Sequence, residues 1–195
     1  IRRLSSVEKV LPILDMVRAN NTVYAIYRYI KMITLESFLK RSGGRLSWRH
    51  TKKLLMPLFH TVAGVHNAGL IHRGLSPRTV EIDQNGTLWL TNFSIAAART
   101  NKSELSAQLY EGYAAPEQYS QSTFQGTWTD VYALGAITYR AVMGADPPSA
   151  MDRVYGDDLL DRTVSPDMTD SVITAVNRAL AVEVEDRTQT AERYI

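Results

Sequence analysis

Imidazoles, carboxylates, hydroxyls and guanidinium groups carry whatever chemistry this chain has, because its 195 residues contain no cysteine. Disulfides and thiolate metal sites are therefore excluded, and a reducing compartment fits the composition. His50, His60 and His66 lie on or beside one helical pattern, with no second cluster at metal-ligand spacing. They read as surface or helix-end histidines. Asp157, Asp158, Glu183, Glu185 and Asp186 read as solvated faces or turns. No metal site is expected. Trp89 and Trp128 read as packing residues rather than platforms for bases. What remains is a segment holding His72, Arg73, Ser76 and Thr79, followed by Asn92-Phe93-Ser94 and then by a stretch with Thr100, Ser103 and Ser106.

These groups need a frame, and periodicity supplies one. Residues 10–14 and 23–27 are apolar and β-rich, with a turn at residues 18–21. Thr34 caps a short helix over residues 35–39, stopped by Ser42-Gly43-Gly44. A long helix starts near Ser47, with Leu54, Leu55, Leu58, Val62 and Val65 on one stripe. Pro57 lies inside it and is expected to bend or interrupt it. Two β runs, 79–82 and 87–90, flank Asn85-Gly86, a hairpin signal. Residues 92–127 show no sustained period and read as a long functional loop. Two more helical stripes follow, one around Val131, Leu134, Ile137, Ala141 and Val142, the other around Ile173, Val176 and Leu180. A small β part followed mostly by helix is an α+β layout.

Composition narrows the function classes. Hydrophobic residues are 45% and charged residues 22%, as in a globular domain, and the net charge of +2 gives no support to nucleic-acid or membrane-surface binding. No apolar run reaches bilayer-spanning length. The start at Ile1-Arg2-Arg3 reads as entering mid-domain, so the chain is expected to be a fragment of something longer.

The segment Gly69-Leu70-Ile71-His72-Arg73-Gly74-Leu75-Ser76-Pro77-Arg78-Thr79 resembles the catalytic loop of the protein-kinase family, which usually reads H-R-D-L-K-P-x-N. Asn92-Phe93-Ser94 stands where D-F-G is expected, and Ala115-Pro116-Glu117 matches A-P-E. Asp130-Val131-Tyr132-Ala133-Leu134-Gly135 resembles the start of the large buried helix, and Arg187 the arginine that pairs with the A-P-E glutamate. The dialect is similar to bacterial serine/threonine kinases. The resemblance implies a kinase-like α+β fold, mostly the helical C-lobe, with residues 1–30 as partial N-lobe and 31–195 as C-lobe.

The resemblance assigns structural roles to one group of residues. Ile13, His72 and Phe93 would belong to the apolar column joining the lobes, a role that coincides with ordinary core packing. Asp130 would anchor backbone N–H groups of the catalytic loop; a simple helix N-cap is the alternative. Glu117 and Arg187 would form a buried bidentate pair rather than a weak surface one.

The chemical positions have changed. Gly74 replaces the catalytic base, Ser76 the lysine, Thr79 and Asn92 the two metal-binding residues, and Ser94 the D-F-G glycine. Tyr110 replaces the bridging threonine. A lost base alone is worth ~10²–10⁴ in rate. The expectation is thus a non-enzyme, a pseudokinase acting as a scaffold or allosteric partner in phosphorylation signalling. The alternatives are a nucleotide sensor, or a weak atypical kinase using relocated Glu81, Asp83 or Glu111. The hinge resembles Tyr27-Arg28-Tyr29-Ile30, with Tyr27 as gatekeeper, and Glu81 falls in the adenine floor unless the register slips by one. No cofactor is expected beyond weak, magnesium-independent ATP binding. Another protein, an active kinase or a phosphopeptide-binding domain, is the expected partner, with no nucleic acid and no membrane contact in this segment. Thr100, Ser103 and Ser106 are regulatory candidates whose phosphates would meet Arg73, against the alternative of an unmodified loop. A cytoplasmic location is expected, including that of a cytosolic domain in a membrane-anchored protein.

Overall fold

The computed structural model describes residues 4, 6–93, 109–120, 122–153, 158–161, 163 and 166–195. Strands β1 (Ile13–Ala19) and β2 (Thr22–Tyr27) form an antiparallel hairpin. Asn20 and Asn21 turn it with φ of 49° and 57°, a left-handed pair that asparagine tolerates and that suits the twist of a two-residue hairpin turn. The first strand thus starts three residues later than the apolar run 10–14 implies. Val10 instead bridges to Leu90, and the main chain of Leu90 bonds with Lys9 and Leu11, stitching residues 9–11 to the second sheet.

That sheet has the order β3 (Met32–Thr34), β4 (Val80–Asp83), β5 (Leu88–Leu90), all antiparallel. Strand β3 carries no sequence signal, since three residues are too few to show a period. It follows residues 27–30 and leads into α1 (Leu35–Arg41), whose N-cap Thr34 accepts from the Ser37 amide. On β4 and β5, Val80, Ile82, Leu88 and Leu90 are buried on one face, while Glu81 and Trp89 are half-buried on the other.

Helix α2 (Trp48–Asn67) runs through Pro57 unbroken. The expected interruption is absent: the ring removes one donor, and the surrounding burial of Leu55, Leu58, Phe59 and Val62 holds the turn together. Behind the sheet, α3 (Thr127–Met143) is buried along nearly its whole length and ends on Gly144 at φ 81°. Helices α4 (Asp170–Ala179) and α5 (Ala191–Tyr194) pack against it. Gly135 makes the approach to α4 close, since a Cβ there would lie 2.9 Å from the Ala179 methyl. A short 3-10 turn, Pro116–Tyr119, interrupts the stretch that sequence periodicity leaves as loop.

Candidate functional site

The site is organised by one carboxylate. Asp130 sits in the first turn of α3, fully buried. Its Oδ2 accepts from the His72 amide at 2.7 Å and from His66 Nε2 at 2.9 Å, and its Oδ1 accepts from the Arg73 amide at 2.7 Å. His66 is a helix-end residue, as one of the two expectations had it, but not a surface one. Its ring is buried beside Asp130, because the last turn of α2 faces the N-terminus of α3. No local pattern signals a contact across 64 residues.

His72 is buried and uses both ring nitrogens. Nδ1 accepts from the Gly74 amide at 3.2 Å, so the ring proton is on Nε2, which donates to the Thr91 carbonyl at 2.7 Å. Burial lowers its pKa below the ordinary value of 6.5, against the opposing pull of Asp130 and the Thr91 carbonyl. Its ring lies 4.5 Å from that of Phe93. Ile13 lines the same cavity as Phe93.

Residues 74–79 satisfy their own polar groups. Thr79 Oγ1 donates to the Gly74 carbonyl at 2.7 Å and accepts from the Ser76 amide at 2.9 Å, while Ser76 Oγ accepts from the Arg78 amide at 3.2 Å. A Cβ at Gly74 would meet only the His72 ring, at 3.8 Å, an ordinary contact. Arg73 and Asn92 have φ of 64° and 63°, left-handed conformations that arginine adopts at some cost and asparagine more readily.

The described end of the activation segment, residues 109–118 around the A-P-E match, is held on the lobe at several points. Gln118 Nε2 donates to the Arg73 carbonyl at 2.6 Å, and its Oε1 accepts from the Ala115 amide. Tyr113 donates its hydroxyl to Asp146, whose other partner is Arg140. Burial and this acceptor raise the Tyr113 pKa well above the usual phenol value. Arg140 also donates to the Gly44 carbonyl at 2.7 Å. Gly112, at φ 79°, passes so near Pro147 that a Cβ would lie 2.6 Å from its carbonyl oxygen. None of these contacts has a sequence signal. Between Ser76, Tyr110, Glu111 and Pro148 a groove of about 590 Å³ opens.

Glu117 and Arg187 are both buried, and Arg187 Nη1 donates to Glu117 Oε1 at 2.8 Å. The pair is not bidentate as expected. Thr129 shares Oε1, Oε2 has no partner, and the remaining Arg187 donors go to the carbonyls of Ala181, Val182 and Trp128.

Of the residues resembling a nucleotide pocket, Tyr27 and Ile30 are half-buried and Arg28 and Tyr29 exposed. Glu81 pairs across the sheet with Thr34 and Trp89, on the face away from the core. Of the other relocated carboxylates, Asp83 already accepts from Trp89 Nε1 and from the amides of Asn85 and Thr87. The residues do not fit a magnesium ion. Thr79 Oγ1 is engaged, Asn92 offers a neutral amide, and no metal-holding cluster occurs among the described residues. Ser94, Thr100, Ser103 and Ser106 lie outside the described residues. No described helix is long and apolar enough to cross a membrane.

The model of the protein kinase domain matches residues 1–189. The chain belongs to the protein kinase family. Among curated relatives, serine/threonine-protein kinase PknA of Mycobacterium tuberculosis is 34% identical over 129 residues, 65% of this chain and 30% of that protein. Serine/threonine-protein kinase PrkC of Bacillus subtilis is 22% identical over 193 residues, 94% of this chain and 30% of that protein. The chain thus spans about 30% of the length of these relatives. A solved structure described as the apo form of PpkA-294 superposes with a TM-score of 0.82 and 28% identity, covering 99% of this chain and 70% of that one. The kinase-like α+β fold is thereby shown.

The same matches correct the expectation of a non-enzyme. The relatives are named serine/threonine-protein kinases, and the family match covers the degenerate positions along with the rest. Substitutions such as Gly74 and Asn92 do not decide the matter one side chain at a time, since the family match spans both positions. The contacts that shape the loop run largely through the main chain, which those substitutions leave in place.

Proposed function

We propose that this kinase-family chain acts in serine/threonine phosphorylation signalling by binding a second protein on the face made by its catalytic loop and activation segment, as scaffold or allosteric partner. The observation carrying this reading is the anchorage of that segment. Gln118 on the Arg73 carbonyl, Tyr113 on Asp146 and Gly112 against Pro147 hold residues 112–118 beside an open groove. A preformed surface binds without the entropic cost of ordering a loop. The partner is an active kinase or a phosphopeptide-binding domain, and the setting is the cytoplasm. Titration calorimetry with a serine/threonine kinase of the PrkC type tests it. Glu111→Arg, at the rim of the groove, should weaken binding at least tenfold (about 1.4 kcal/mol) with an unchanged melting temperature. Binding that ignores Glu111→Arg and Tyr110→Ala alike would place the partner elsewhere and sink the reading.

A second reading, phosphotransfer with a relocated base, is favoured by one observation. Of Glu81, Asp83 and Glu111, only Glu111 shares a groove with Ser76. Labelled phosphate from ATP should then enter a protein substrate and be lost in Glu111→Gln but not in Asp83→Asn. Nucleotide binding, where it occurs, would be independent of magnesium. A thermal melt with ATP, with and without the ion, reads this directly, and a shift that requires magnesium would refute it.

A further inference from the structure

From residue 37 to residue 80 the sequence contains no aspartate or glutamate, yet Lys40, Arg41, Arg45, Arg49, Lys52 and Lys53 crowd its first part. The net charge of +2 conceals this, because it averages the strip with acids elsewhere. The strip runs from the last turn of α1 through the connection to the first turns of α2, and all six cations are exposed. The connection has a fixed path: Gly44 bonds back to the Leu39 carbonyl and Leu46 to that of Ala141. Lys40 pairs with Glu36 at 3.5 Å; the other five make no hydrogen bond or ion pair among the described residues. The carboxylates that reach these elements are engaged. Glu36 also meets Arg78, Asp146 meets Arg140 and the Tyr113 hydroxyl, and Asp167 accepts from the Trp48 amide at 2.6 Å. Counted with Asp170 in the first turn of α4, these acids are still outnumbered by the six cations with Arg78 and Arg140. Helix geometry sharpens the pattern. The first turn of α2 has no acid and holds Arg49, with Lys52 and Lys53 three and four residues on, hence on the same face. The positive end of a helix disfavours cations, and like charges at that spacing repel. The fold therefore gains nothing from placing them there.

We propose that the strip from Lys40 to Lys53 docks on an anionic lipid surface, with phosphate-bearing headgroups as its counter-charges. None of the six cations lines a described cavity, and none but Lys40 is held in place by a neighbour. A site for one defined phosphate or carboxylate needs its cations held by supporting contacts. Headgroups move laterally and meet untethered cations where they are. A single-stranded nucleic acid would call for exposed aromatic faces among the cations, whereas the aromatic of this strip, Trp48, packs against the core. The strip exposes no large apolar side chain, so the contact is electrostatic adsorption without insertion. Each cation near such a surface raises the partition about fivefold, and salt screens it. The inference does not depend on the protein-binding reading, since none of the six cations lines the groove of Tyr110 and Glu111.

The test is co-sedimentation of the whole chain with vesicles of phosphatidylcholine alone, and of phosphatidylcholine with phosphatidylglycerol in equal parts. The chain should follow only the anionic vesicles, and salt at about 1 M, where the Debye length is about 3 Å, should release it. Arg49→Gln/Lys52→Gln/Lys53→Gln should weaken the partition at least tenfold and melt no lower than the parent, since it relieves repulsion. Arg41→Gln/Arg45→Gln, outside α2, should weaken it too, which keeps the test independent of that helix. Arg18→Gln/Lys31→Gln/Arg193→Gln removes as much charge from exposed positions elsewhere and should leave binding unchanged. Equal binding to both vesicles, no loss in the two strip variants, or the same loss in the control triple would overturn the assignment. So would duplex DNA or polyglutamate that binds the strip more tightly than the anionic vesicles at the same salt, since the occupant would then be a nucleic acid or an acidic protein.

Discussion

Replacing Arg187 by methionine removes a cation from a fully buried position and leaves Glu117, 4% exposed, with the Thr129 hydroxyl as its remaining recorded donor. Stranding one partner of a buried pair costs about 3–5 kcal/mol. Arg187 also donates to the carbonyls of Ala181 and Val182, at 2.8 and 2.9 Å, so part of the loss belongs to those groups. A double-mutant cycle separates the two contributions. In Glu117→Leu/Arg187→Met no charge is stranded, and the residual loss should be only about 1–3 kcal/mol, the cost of unpaired polar groups. The coupling is then the excess of the two single losses over the double. Urea unfolding followed by circular dichroism measures each variant. At ~2–4 °C per kcal/mol for a chain of this size, Arg187→Met should melt about 6–20 °C lower. A single-mutant loss below about 1 kcal/mol, the level of exposed pairs, or additive singles, would refute the buried-pair argument.

Four other outcomes follow from the structure. Gly112→Ala places a methyl 2.6 Å from the Pro147 carbonyl at a left-handed φ, so it should cost about 1–3 kcal/mol and speed amide exchange around Tyr113; unchanged exchange would argue against the clamp. His72, with its pKa lowered by burial, binds its proton more weakly folded than unfolded, so its share of stability is present above 6.5 and lost as pH falls below it. Tyr113, Tyr132 and Tyr194 have raised values, so their share is present below about 10 and lost at higher pH; a flat urea midpoint from pH 5 to 11 would contradict both signs. Glu81→Leu removes a carboxylate from the face expected to lie under a base and should raise ATP affinity about tenfold or more. A melt unaffected by ATP in both proteins would show that Glu81 is not what limits binding.

The helices and the hairpin were legible because burial imposes a period on them. The α3 stripe from Val131 to Val142 and the Asn85-Gly86 turn are cases in point. The landmarks His72, Asp130, Glu117 and Arg187 were legible by resemblance, as ordered motifs far apart in the chain. Strand β3 was not, being too short to show alternation and defined only by its partner β4. Nor were His66 on Asp130, Gln118 on Arg73 or Tyr113 on Asp146, since each joins residues many positions apart through one polar atom. Pro57, expected to bend or interrupt α2, does not interrupt it. A local rule about one missing donor lost to the packing of a whole helix face.

Asp130 holds the catalytic loop through amides that every residue except proline possesses. The Gln118 amide likewise grips a main-chain carbonyl. Contacts of this kind do not register which side chain is present, so position 74 can drift with little mechanical penalty, whereas Ser76 and Thr79 hold the path of the loop through their own hydroxyls. Selection on shape and selection on chemistry are thereby uncoupled at Gly74. A change at Asp130 would move every residue of the loop together, whereas a change at Gly74 would alter only what the loop presents.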